Sequence, residues 1–129
     1  MEPLIEGALK RWFVESFRQA RPEILELYWK MIAANPPLGY AANCRGLLEL
    51  DIRDDLHKIQ CPILLVTGEA DWSAPVRDHE LIAERVADSE LVVLKDASHT
   101  VCEEKPQEFN RIVLEFLDRK LLFPRSWTE

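Results

Sequence analysis

Cys61-Pro62-Ile63-Leu64-Leu65-Val66-Thr67-Gly68-Glu69-Ala70-Asp71-Trp72-Ser73-Ala74-Pro75 is the stretch on which the fold turns. Ile63 to Val66 are apolar without alternation, the pattern of an inner parallel strand covered on both faces. Gly68 follows, where a chain often needs a conformation that other residues resist. Pro75 suits the first turn of a helix. Asp71 is thereby presented at the carboxyl end of a strand, where open α/β sheets carry their chemistry. Spacing alone leaves two readings of Asp71 open: a loop acid that caps the next helix, or a functional carboxylate.

Working downstream, residues 75 to about 87 read as a helix with Leu81, Ile82 and Val86 inward. Leu91-Val92-Val93-Leu94 is a second buried strand. Strand, helix and strand predict one βαβ unit, with parallel strands and a right-handed crossover. Asp96-Ala97-Ser98-His99 then forms a loop. A last helix runs from Pro106 to about Leu122, on the stripe Phe109, Ile112, Val113, Phe116 and Leu117. Phe123-Pro124 ends it, and residues 123–129 read as a loose tail. Parallel strands share a direction, so Asp71 and His99 are expected at the same sheet edge. A carboxylate beside an imidazole can fix its tautomer and stabilise the imidazolium, while the imidazole takes a proton from a nucleophile. Taken singly, each residue has a plainer reading: a cap for Asp71, an ordinary surface or core histidine for His99.

Upstream, residues 1–50 read as a helical segment. A helix over 8–20 carries Leu9, Trp12, Phe13, Ser16, Phe17 and Ala20 on one face. Arg21-Pro22 breaks it. A second helix begins at Pro22, with Glu23 in its first turn and a stripe of Ile24, Leu25, Tyr28, Met31 and Ile32. Asn35-Pro36-Pro37 stops that one. A third, from about Leu38 to Leu50, turns Tyr40, Cys44, Leu47 and Leu48 inward. Residues 51–60 form a charged connector with Leu56 and Ile59 tucked in, and residues 61–122 form the α/β part. Trp12 and Tyr40, with Trp72 beside Asp71, are the aromatic candidates for a substrate wall, although such residues are more often plain core.

The 129 residues suffice for one domain with its own core. There are 23 acidic side chains against 16 Lys and Arg, a net charge of −7, which disfavours a nucleic-acid partner. No apolar run approaches the roughly 18 residues that span a bilayer. The opening Met-Glu-Pro-Leu-Ile-Glu lacks the positive start of a signal peptide. The odd number of cysteines (Cys44, Cys61, Cys102) makes no disulfide framework, and the simplest setting is reducing and cytoplasmic. No Cys or His spacing suggests zinc, and no cofactor is expected.

Gly68-x-x-Asp71-x-x-x-Pro75, then His99, then Glu104-x-Pro106 and an amphipathic closing helix, resembles the C-terminal half of an α/β-hydrolase. Arg11-Trp12-Phe13, Met31-Ile32 and Gly39-Tyr40-Ala41-Ala42-Asn43-Cys44 followed by Asp51 resemble the cap and linker of 3-oxoadipate enol-lactonases. The resemblance runs from about residue 8 to 120. It implies a partial α/β-hydrolase fold, with Asp71 as triad acid, His99 as triad base and a small ester or lactone as substrate. A glycine often precedes the base in that family, where this chain has Ser98.

The family's nucleophile stands on a Gly-x-Ser-x-Gly elbow. Here the glycines are at 7, 39, 46 and 68, and none of Ser16, Ser73, Ser89, Ser98 or Ser126 is flanked by them at that spacing. The oxyanion-hole loop is missing too. Two strands leave unpaired edges, against a usual sheet of roughly four to six. A homodimer, or a separate N-terminal hydrolase half, is therefore the expected cover. Three functions follow: an acid-and-base portion of a serine hydrolase, inactive without a nucleophile; a self-associating, non-catalytic remnant or binding module; or unrelated chemistry on Cys102 or a carboxylate.

Overall fold

The computed structural model describes residues 1–120. The expected end of the last helix at Leu122 and the tail over 123–129 lie outside the described residues. Two parallel strands, β1 (Ile63–Gly68) and β2 (Ser89–Leu94), pair in register from Ile63 opposite Ser89 to Gly68 opposite Leu94. α5 (Val76–Arg85) joins them, which completes the βαβ unit expected from the two apolar runs. A short α6 (Val101–Glu104) and a longer α7 (Pro106–Arg119) follow β2. Upstream lie α1 (Glu2–Trp12), α2 (Glu15–Ala20), α3 (Pro22–Ala33), α4 (Pro37–Glu49) and a 3-10 turn over Arg53–Lys58, in which Leu56 is buried as expected. The chain is thus a helical segment followed by a partial α/β layer.

Each part has its own core. Leu94, Ala97, Val101 and Ile112 form one, with Leu64, Val66, Val92 and Phe109 packed against it. This cluster seats the α7 stripe on the strand pair and the loop after β2. Ile5, Ala8 and Ile32 form the other, between α1 and α3. Ile5 is fully buried there. Ile5→Val removes one methylene from this small core and is expected to cost about 1 kcal/mol. The check is a lower denaturant midpoint with an unchanged slope.

Three expectations about this layer and its helices are corrected. The helix expected over 8–20 starts at Glu2 and breaks at Phe13, which is extended at φ −130 and ψ 139. Phe13 is buried, so its side chain keeps the inward role while its backbone leaves the helix. The cause is long-range: the carbonyls of Arg11 and Trp12 and the amide of Val14 bond to residues 98–104 instead of to their own helix. The apolar face of α4 does not point inward. None of its residues is buried, and Leu47 and Leu48 are 69% and 86% exposed. Nor is β1 fully buried. Ile63 to Val66 are half-buried, because β2 is the only strand paired with β1 among the described residues. In both places the sequence carries more apolar surface than the described residues cover. Met31 on α3 is exposed for the same reason.

Candidate functional site

The two loops that leave the strand pair at the same edge are stitched together before any side chain contributes. The amide of Glu69 donates to Leu94 O at 2.9 Å, and that of Ala70 donates to Ala97 O at 3.0 Å. Such closeness dictates Gly68. A Cβ there would lie 2.2 Å from Ala97 O and 2.4 Å from Ser98 O. Gly68 does not take a positive φ, so what it supplies is room for a neighbouring backbone, not the unusual conformation expected of it. The left-handed residue is Asp96, at φ 50, a conformation Asp tolerates better than most residues. Its amide is held by Glu69 Oε1 at 2.9 Å.

Asp71 and His99 meet at this edge. Asp71 Oδ2 lies 2.9 Å from His99 Nδ1. Asp71 Oδ1 accepts from the amides of Ser73 at 2.8 Å and Ala74 at 3.0 Å. One oxygen of the carboxylate thus braces a turn while the other meets the imidazole. Its brace is on the turn ahead of α5; the helix itself starts at Val76, with Pro75 at its N-cap and no side-chain cap. The acid side chain is 4% exposed and the imidazole 39%. A carboxylate can only accept, so in the neutral ring the proton sits on Nδ1 and the lone pair on Nε2. Nε2 has no hydrogen-bond partner among the described residues. An imidazole oriented in this way can take a proton at Nε2 and hand it on.

The backbone around His99 is pinned to the helical segment. Ser98 is buried, and its hydroxyl lies 2.8 Å from Arg11 O and 3.1 Å from Ala70 O. The hydroxyl at this position gives the loop a bond that glycine could not. Thr100 donates to Trp12 O from both its amide, at 3.1 Å, and its hydroxyl, at 2.8 Å. The Trp12 ring stacks on the His99 ring, with centroids 6.2 Å apart and planes 30° apart. Behind it, Tyr28 meets Trp12 and Phe13 edge-on. Burial, helped by the charge of Glu103, pushes the Tyr28 phenol above its ordinary pKa. It stays neutral around pH 7 and keeps the aromatic wall uncharged.

Of the three aromatic candidates for a substrate wall, only Trp12 touches the imidazole. Trp72 is 79% exposed and shares the lining of a cavity of about 200 Å³ with Ala70, Ser98, Phe13 and Arg18. Tyr40 sits on the uncovered α4, and among the described residues it pairs with none of these rings. Cys102 is exposed on α6. Sequence reasoning gave no role to Ser98, Thr100 or Glu104. The available signal was the crowding of hydroxyls and acids around a single histidine in a short loop.

Comparison with known proteins bears on the fold. No family model matches the chain. It is 36% identical over 113 residues to 3-oxoadipate enol-lactonase 2 of Acinetobacter baylyi, covering 88% of this chain and 42% of that protein. It is 36% identical over 100 residues to the pimeloyl-[acyl-carrier protein] methyl ester esterase of Aeromonas hydrophila, covering 76% of this chain and 39% of that protein. Among solved structures, the enol-lactonase from Burkholderia xenovorans superposes with a TM-score of 0.88 at 29% identity, over 92% of this chain and 45% of that one. The chain has a partial α/β-hydrolase fold. It is similar to the 3-oxoadipate enol-lactonases, and it spans less than half the length of these relatives.

Proposed function

We propose that these residues form the acid- and base-bearing portion of a serine hydrolase of esters or lactones, with the nucleophile supplied by sequence outside them. The observation that carries this reading is the Asp71–His99 hydrogen bond, with Nε2 left open at the sheet edge. In the completed site Nε2 takes the proton from a serine hydroxyl as its oxygen bonds to the substrate carbonyl carbon. That proton then passes to the leaving alkoxide as the ester C–O bond breaks. Water repeats the cycle, giving its proton to Nε2 and freeing the serine. The names of the similar proteins, lactonases and esterases, support this substrate class.

The uncovered surface supports the need for completion. An open two-stranded sheet and an α4 with no buried residue are faces that a nucleophile-bearing half would cover. Mixing the chain with the N-terminal half of the Acinetobacter enol-lactonase is expected to bring ester or lactone hydrolysis that neither part shows alone. A stable complex of the two that hydrolyses nothing sinks the proposal.

The exposed Leu38, Leu47 and Leu48 along α4 favour a second reading, in which two copies cover each other and the chain binds without catalysis. Light scattering that gives a dimer unmoved by addition of the enol-lactonase half supports it; a monodisperse monomer removes it.

A further inference from the structure

We propose that Glu104 is a positioning residue for His99, tying the histidine loop to the junction between α1 and α2. This rests on the reading of His99 as a base. The Glu104 carboxylate spans two segments far apart in sequence. Oε1 accepts from the Val14 amide at 2.7 Å, and Oε2 accepts from the Ser98 amide at 2.6 Å, one residue before His99. Both are short bonds to an ionised acceptor, roughly twice as strong as neutral ones. Losing the carboxylate leaves two part-buried amides without their partner.

Local sequence explains how the carboxylate comes to lie there. Pro106 opens α7, so Lys105 is pushed out of the helical region, to φ −132 and ψ 56. α6 therefore ends at Glu104, one turn after Thr100, and its last side chain folds back over the loop from which the helix rose. The Glu-x-Pro spacing is thus a physical requirement: the proline fixes where the helix stops, and the stop fixes where the acid points.

Glu104 completes a three-sided grip. Asp71 holds the ring at Nδ1, Trp12 lies on its face, and Glu104 holds the backbone beneath it to the segment that carries Trp12. This carboxylate adds to the bonds from Ser98 to Arg11 O and from Thr100 to Trp12 O, and it is the one that holds the Ser98 amide, next to His99, to Val14. The neighbouring Glu103 lies beside Tyr28 and gives an internal control one residue away.

The test is the tautomer ratio of the His99 ring, read on the full chain from long-range proton–nitrogen correlations at a pH where the ring is neutral. In the unsubstituted chain the Nδ1–H form is expected to dominate. Glu104→Gln keeps one acceptor oxygen but turns an amide group toward the other N–H. It is expected to lower the ratio of Nδ1–H to Nε2–H severalfold, and Glu104→Ala to lower it further. Glu103→Gln is expected to leave it unchanged. A Glu104→Gln chain that loses stability yet keeps the original ratio overturns the proposal, because a purely structural brace would do that. Should Glu104→Ala fail to fold, Glu104→Gln decides alone. A starting chain in which Nε2–H dominates instead sinks the reading of the Asp71–His99 pair itself, and the proposal falls with it.

Discussion

In the completed hydrolase, Asp71→Asn is expected to lower kcat by about 10⁴-fold, and His99→Ala by at least as much. The two oxygens of Asp71 have separate duties, which makes the asparagine variant informative. Its remaining carbonyl oxygen can still accept from the amides of Ser73 and Ala74, as Oδ1 does now. Its amide group would face His99 Nδ1, and two donors cannot share a hydrogen. The ring must then carry its proton on Nε2, the position from which it has to act as a base. Loop and fold are retained while the base is lost. The outcome to measure is kcat for ester or lactone hydrolysis beside the denaturant midpoint. Hydrolysis that persists at the original rate in either variant removes the pair from the mechanism. A loss of rate with an equal loss of folded protein would show a brace and nothing more.

How much of this was legible in the sequence depends on the range of the interactions concerned. The βαβ unit was readable because unbroken apolar runs and a proline-led helix are local signals, and β1, α5 and β2 fall where those signals put them. The stripe of α7 was readable for the same reason, and Ile112 and Phe116 are buried as expected. Strand direction placed Asp71 and His99 at one sheet edge; their pairing as acid and base came only from the family resemblance. The break at Phe13 was not readable. The local pattern continues smoothly through it, and what stops the helix is a set of bonds to residues 98–104, some ninety positions away. The exposure of α4 was missed for a different reason. An apolar face in a sequence reports that a partner is needed; it does not report whether the partner lies within the same residues. Along Tyr40, Leu47 and Leu48 the pattern and the burial therefore part company.

Gly68→Ala is expected to cost about 3 kcal/mol of stability, the upper end for overpacking, and to separate Asp71 from His99. The backbone conformation at Gly68 does not forbid a side chain, so the cost comes from contact alone. A Cβ would lie 2.2 Å from Ala97 O, 2.3 Å from Ala97 C and 2.4 Å from Ser98 O, all far inside ordinary contact. These are backbone atoms, and no rotamer can move them aside. The loop after β2 must shift as a whole, and with it goes the bond from the Ala70 amide to Ala97 O that joins the two loops. Asp71 stays with β1 while His99 moves with β2, so the variant should lose the preference for Nδ1–H along with its stability. Gly46→Ala is the matched control. Gly46 lies in the exposed α4 with nothing within 4 Å of the added carbon. There alanine should stabilise by about 0.5–1 kcal/mol, since it lowers the entropy cost of ordering a helix. The same substitution is thus expected to carry opposite signs at two sites. If the denaturant midpoint of Gly68→Ala matches that of the unsubstituted chain, the loops do not approach as closely as the site requires.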